Sequence, residues 1–219
     1  MPVKVGLQYI DIWKESMEEV VCKKEKEVYP EGQIVFYGSS SFTRWRSEKY
    51  GNPDLRKALL GKSGAECCVN RGFGSSCSEH QLYYYPRMVR PLKPKVLVYT
   101  CYGNGGAFGY SLEEIWELAQ RVIVYAQTDF PDIHIYLCSP PNTLKQTEAG
   151  LEEKRRFSEI LKAYADEHEN VYFLDLLNYE PIKSRKDIYV EDQVHMNAEG
   201  YRLFGEMFRE MLKEELDRY

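Results

Sequence analysis

Five short runs of almost unbroken apolar residues, at 34–37, 67–69, 96–100, 133–138 and 171–174, constrain this chain more than any other feature. A run without polar alternation is buried on both faces, the condition of strands in a parallel sheet covered by helices on each side. The stretches between the runs carry helical periodicity. Ile10, Trp13, Met17, Val20 and Val21 share one side of a helix expected over 10–27, ended by Pro30 and Gly32. A short helical piece is expected over 55–60, and a longer helix over 78–89 with a kink at Pro86. Ser111 and Glu114 form a capping box that opens a helix reaching about residue 127. Phe157, Ile160, Leu161 and Tyr164 line the inner side of a helix ending near His168, and Tyr201, Phe204, Phe208 and Met211 that of the last helix. The expected architecture is a three-layer α/β/α sandwich around a five-stranded parallel sheet.

At 219 residues the chain suits one domain over 1–219, with 1–30 a helical extension packed on it. A domain this long buries about 70% of its unfolded surface and needs no disulfide or metal to fold. The net charge is −5, and Lys alternates with Glu over 23–27, which reads as a solvated helix face. No basic stripe for nucleic acid exists. No apolar run reaches the ~18 residues of a membrane span, and 1–14 holds no signal-length apolar segment, so no membrane partner and a cytoplasmic location are expected. Cys22, Cys67, Cys68, Cys77, Cys101 and Cys138 form no C-x-x-C pair, so reduced structural thiols are expected and no zinc or other cofactor. On a strand, Cys67 and Cys68 would point to opposite faces.

In open α/β folds the chemistry sits at the carboxyl ends of the strands. The first run ends at Gly38 and passes into Ser39-Ser40-Ser41. Taken alone, that reads equally as a helix N-cap. The other strand exits change the reading. Gly74 and Ser75 follow the second run, Asn104 the third, and Asp192 and His195 the fifth. Right-handed crossovers bring all these loops to one edge. A serine, a histidine three residues after an aspartate, and loops offering amide donors form an acyl-transfer set. Histidine can take the serine proton, the aspartate can fix its tautomer, and the donors can hold an oxyanion.

These residues stand in the order and spacing of the four blocks of the SGNH or GDSL hydrolases, which the chain resembles from the first strand to the last helix. Gly38-Ser39-Ser40 matches the nucleophile block. The loop Asn70-Arg71-Gly72-Phe73-Gly74-Ser75-Ser76 resembles N-R-G-F-G-G-S of one branch, Asn104 matches the oxyanion asparagine, and Asp192-Gln193-Val194-His195 matches D-x-x-H. The resemblance implies a flavodoxin-like strand arrangement, with Ser40, Asp192 and His195 catalytic. It also implies an oxyanion hole from Ser75 and Asn104, and Gly74 and Tyr102 beside the substrate. There are departures. Ser39 replaces the family aspartate, Ser75 a glycine, and Tyr102-Gly103-Asn104-Gly105 stands where the family has G-x-N-D. Side chains at 75 and 102 would crowd the carbonyl and favour short acyl chains.

The function this implies is a serine esterase that cleaves acetyl-type esters of a carbohydrate or another small molecule. An acyltransferase would use the same triad. A catalytically impaired binding domain and a flavodoxin-like phosphate or flavin binder are the readings from other classes, the last using Gly38 to Ser41 as an anion cradle. His80, His134 and His168 read as structural or surface residues. Tyr83-Tyr84-Tyr85 reads as helix packing rather than a sugar platform.

Overall fold

The computed structural model describes residues 13–46 and 51–219. The five apolar runs form β1 (Ile34–Gly38), β2 (Cys68–Gly72), β3 (Val96–Tyr99), β4 (His134–Cys138) and β5 (Val171–Leu174). All neighbours pair in parallel, in the order β2-β1-β3-β4-β5. The chain leaves β1 toward β2 on one side and β3 lies on the other. The order therefore reverses at β1/β3, and a crevice opens there at the carboxyl ends of the strands.

Helices α1 (Lys14–Glu25), α2 (Ser40–Thr43), α3 (Leu55–Ala58), α4 (Ser78–Met88), α5 (Leu112–Asp129), α6 (Glu148–Glu167), α7 (Glu180–Lys183), α8 (Ala198–Met211) and α9 (Lys213–Leu216) connect and cover the strands. The period-2 alternation of each strand divides the interior in two. Val35, Tyr37, Leu97, Tyr99, Ile135 and Leu137 pack with α1, α4, α5 and α6. Ile34, Phe36, Val96, Val98, Tyr136 and Cys138 pack with α3 and α8 on the other face. Both layers are apolar and aromatic-rich. Phe36, for instance, meets Phe42, Trp45 and Phe208 edge-on at 5.3, 6.0 and 5.3 Å.

The first helix begins at Lys14, and Trp13 is 58% exposed. Trp13 has left-handed backbone (φ 63°) before the first turn, which takes its side chain off the inward stripe of Met17 and Val21. Ile10 lies outside the described residues. The glycine-rich segment expected as a loop from Asn70 is strand as far as Gly72, because β1 continues to Gly38 and pairs with it. Gly72 is required there, since a Cβ would come within 2.6 Å of Phe42 Cβ. α4 runs through Pro86. Cys67 and Cys68 share one buried cluster with their sulfurs 4.0 Å apart rather than facing opposite ways, since β2 begins only at Cys68. The Ser111 capping box is formed: Glu114 N–H donates to Ser111 Oγ (3.3 Å) and Ser111 N–H to Glu114 Oε2 (2.9 Å).

Candidate active site

Gly38 ends β1 where a Cβ would collide with the Thr100 hydroxyl, so the chain passes beside β3 at its closest approach. Ser39 N-caps α2 and Ser40 is its first residue. The N-cap reading and the nucleophile reading of the serine run therefore describe the same turn. The short helix is held in place from α8, where Tyr201 Oη donates to the Ser41 carbonyl (2.8 Å).

The Asp192–His195 turn approaches from the far end of the chain. An antiparallel bridge between Tyr189 and Met196 closes it, and Val190 N–H donates to the His195 carbonyl (2.9 Å). Within it, Asp192 Oδ1 accepts the backbone N–H of Val194 and of His195, each at 2.9 Å. Asp192 Oδ2 lies 2.7 Å from His195 Nδ1, and His195 Nε2 lies 2.9 Å from Ser40 Oγ. Arg44, one turn after Ser40, reaches the same Oδ2 at 3.3 Å. Partial burial works to raise the Asp192 pKa. The backbone N–H groups of His195 and Val194 and the His195 ring outweigh it and hold the carboxyl well below the usual carboxylate range. Asp192 is thus an anion fixed on one side of the imidazole, and the other ring nitrogen points at a hydroxyl.

Asn104 follows β3 across the crevice. Its Nδ2 donates to Ser39 Oγ (3.0 Å) and to the Ser76 carbonyl (2.9 Å). A cavity of about 450 Å³ opens between these residues, with Ser40, Asn104, Tyr102, Thr143, Lys154 and His195 on its walls. Tyr102 is fixed there by Phe157, tilted against its ring at 5.4 Å, and by Glu153 accepting from its hydroxyl (2.7 Å). Gly74 and Ser75 are not brought to this cavity. Ser75 is exposed, with left-handed backbone (φ 62°) that turns its side chain to solvent, and the Ser76 carbonyl is what meets Asn104. The crowding expected from Ser75 is absent, while that from Tyr102 remains.

Three parts of the site were not read from the sequence. Arg44 sits four residues after Ser40, a helical spacing that could have suggested it. Lys154 falls on the inward stripe of α6 with Phe157, Ser158 and Leu161, and a lysine at a buried helical position was the available signal. The 140–147 loop left no local signature. It is tied to the histidine turn because Leu144 and Lys145 N–H both donate to the Gln193 carbonyl (2.9 and 3.1 Å).

The remaining histidines are engaged elsewhere. His80 accepts from the Cys77 N–H (3.2 Å), His134 pairs with Glu215 (2.6 Å), and His168 Nδ1 lies 2.8 Å from the Tyr164 carbonyl. Tyr84 and Tyr85 are buried and Tyr83 half-exposed, so the three form no platform. Among the described residues no group of three His, Cys, Asp or Glu could hold a metal ion, and no helix is long and apolar enough to cross a membrane.

Comparison with solved structures returns the same architecture. A Bacteroides fragilis protein assigned as an acylhydrolase matches with a TM-score of 0.71 and 20% identity, over 91% of this chain and 97% of that one. A GDSL-like lipase from Bacteroides thetaiotaomicron matches with 0.68 and 19%, over 93% and 98%. A variant of an acetyl-xylooligosaccharide esterase from Geobacillus matches with 0.65 and 16%, over 83% and 94%. At such identities the likeness is one of fold. Among curated protein sequences none matches this one. The sequence profile of the GDSL-like lipase/acylhydrolase family matches residues 36–203, from within β1 to within α8. That span takes in Ser40, Asn104, Asp192 and His195, and the chain belongs to this family of hydrolases.

Proposed function

We propose that the protein is a serine esterase that removes short acyl groups from a carbohydrate or another small alcohol. The observation that carries this reading is the continuous chain from Ser40 Oγ to His195 (2.9 Å) to Asp192 (2.7 Å) at one wall of the cavity. Ser40 Oγ attacks the ester carbonyl carbon as its proton passes to His195 Nε2. The carbonyl π electrons move onto oxygen. When they return, the C–O bond to the alcohol breaks and the alcohol leaves with the proton from Nε2. Water, deprotonated by the same nitrogen, then adds to the acyl carbon, and the bond to Ser40 Oγ breaks as Nε2 returns the proton to that oxygen, releasing the free acid. Asp192 holds the ring and stabilises the imidazolium.

The oxyanion needs donors in place beforehand. The Ser40 backbone N–H is the first of its helix and has no intrahelical acceptor by position. Asn104 supplies the second when the substrate oxygen replaces Ser39 Oγ as acceptor of one Nδ2 hydrogen, the other staying on the Ser76 carbonyl. Short acyl groups fit because Tyr102, braced by Glu153 and Phe157, takes up room in the cavity wall. Acetyl esters should therefore show a higher kcat/KM than octanoyl esters, and the reverse order would remove this part of the proposal. The carbohydrate preference draws on likeness to an acetyl-xylooligosaccharide esterase.

A fluorophosphonate probe with site mapping tests the nucleophile without knowledge of the substrate. Ser40 alone should be modified, with Ser39 and Ser41 as internal controls. Labelling of a neighbour would reassign the nucleophile. No labelling would favour a binding domain built on the same fold.

A further inference from the structure

The catalytic cavity is cationic in a chain whose net charge is −5. Among the described residues that line it, none is Asp or Glu, while Lys145 and Lys154 both do. Lys154 is the unusual one. It is only 9% exposed, and its ammonium contacts neutral oxygens: the Pro141 carbonyl (2.9 Å), Gln146 Oε1 (3.1 Å) and Thr143 Oγ1 (3.3 Å). A buried lysine ordinarily has a carboxylate beside it, because an unpaired buried charge is costly. Here burial alone pulls its pKa down to about 8, with no acidic partner opposing it.

The carboxylates that stand behind the cavity wall are already occupied. Asp192 holds His195 and Arg44. Glu153 accepts from Tyr102 (2.7 Å). Asp175 accepts from Asn178 N–H (3.1 Å), from Asn178 Nδ2 (2.9 Å) and weakly from Ser139 Oγ (3.5 Å). None of them faces the Lys154 ammonium. An uncompensated cation in a cavity with low-dielectric walls focuses its field on whatever enters.

We infer that the cavity is built for an ester whose non-reacting portion carries an anionic oxygen group such as a carboxylate, seated against Lys154. This rests on the acyl-transfer reading of Ser40. The anion takes the place of Thr143 Oγ1, the longest of the three contacts, and so supplies the charge partner that the folded chain lacks. Lys145, at the exposed edge of the same loop, adds a second positive charge on the way in. A neutral acetylated sugar would leave the buried ammonium with neutral oxygens only.

The test uses two acetate esters matched in shape, 4-acetoxybenzoate and 4-acetoxybenzamide. The ratio of their kcat/KM values is divided by the ratio of their hydroxide-catalysed rates, which removes intrinsic reactivity. At low ionic strength the corrected ratio should favour the anion by about tenfold or more, mainly through KM, and shrink as salt is added. It should fall toward 1 in Lys154→Met and be retained in Lys154→Arg. A corrected ratio of 1 or below in the parent, or one that survives Lys154→Met unchanged, overturns the inference while leaving the esterase reading intact. Should either variant fail to fold, the parent alone decides. 4-Hydroxybenzoate should protect Ser40 from the fluorophosphonate at concentrations about fivefold or more below those of 4-hydroxybenzamide, and equal protection overturns the inference. If the parent neither turns over an ester nor labels at Ser40, the acyl-transfer reading itself has failed, and this inference falls with it.

Discussion

Among the described residues, two histidine–carboxylate pairs of nearly the same geometry stand at opposite edges of the sheet. His195 and Asp192 lie 2.7 Å apart at the carboxyl edge, His134 and Glu215 2.6 Å apart where β4 begins. The two histidine side chains are similarly shielded, 17% and 20% exposed. What differs is the third member. Beyond His195 stands a serine hydroxyl at 2.9 Å, on a helix N-terminus, facing a cavity. Around Glu215 stand Tyr136 (2.9 Å) and Arg218 (3.0 Å), which tie α9 and the chain end to the sheet. The two pairs therefore share a local geometry and differ in setting. Strand polarity makes the difference, because it brings the crevice and the other loops to one edge only.

The largest contrast should come from removing each histidine. His195→Ala should lower kcat on an aryl acetate by about 10³-fold or more, in line with losses from dismantled triads. His134→Ala should leave kcat within about threefold, while lowering stability by about 1–3 kcal/mol for the lost partner of Glu215. A His195→Ala variant as active as the parent, or a folded His134→Ala variant as inactive as His195→Ala, would erase the distinction. Rates and chemical denaturation of the same preparations measure both.

The next effect sharpens the catalytic edge. Asn104→Ala should cost about 10²–10³ in kcat with little change in KM, since an oxyanion donor acts mainly in the transition state. The hydrogen bond that Asn104 now makes to Ser39 Oγ gives a second arm. Ser39→Ala removes that competitor and leaves the Ser76 anchor, so it should cost far less than Asn104→Ala. A folded Asn104→Ala variant within threefold of the parent would leave backbone N–H groups as the oxyanion hole.

The Asp192 carboxylate of the first pair should also show itself in acid. Asp192 is held well below its ordinary value, so it contributes stability that is present above the unfolded carboxyl pKa of about 3.9 and lost as pH falls through the folded value. Asp192→Asn should therefore shrink the drop in melting temperature between about pH 5 and pH 2.5. Thermal scans across that range measure it. A variant that loses as much as the parent would mean that other carboxylates set the acid limb.

Much of this was legible in the sequence, for a physical reason. Strands buried on both faces announce themselves as apolar runs, and the turn Asp192 to His195 is local, with its hydrogen bonds made three residues apart or fewer. Ser40 could be placed because Gly38 marks the strand exit. What could not be placed depends on contacts across the chain. Lys154 lies on the inward stripe of α6, but the oxygens that surround its ammonium come from the 141–146 segment and are set only by the folded loop. The Ser75 side chain reads as crowding the carbonyl, by alignment with a glycine, yet the turn after β2 points it outward. Asn104 follows β3 as expected, but its bond to Ser39 joins residues 65 positions apart and has no signature in either segment.

The smallest effect concerns that outward turn. Ser75 holds φ at 62°, a left-handed conformation that costs a non-glycine residue about 1–2 kcal/mol through its Cβ and the following carbonyl. Glycine adopts it freely but loses more backbone entropy on folding, roughly 0.5–1 kcal/mol relative to alanine. The two terms oppose each other, and the steric one is the larger. Ser75→Gly should therefore stabilise by about 0.5–1 kcal/mol at most. Because the side chain is exposed and outside the cavity, kcat/KM on acetyl and octanoyl esters should stay within about twofold of the parent. Denaturant midpoints and the two rate constants decide the matter together. A variant that gains long-chain activity would return Ser75 to the cavity wall and to the crowding argument. One that loses stability would mean the Ser75 hydroxyl holds the turn, with a partner that outweighs its backbone strain.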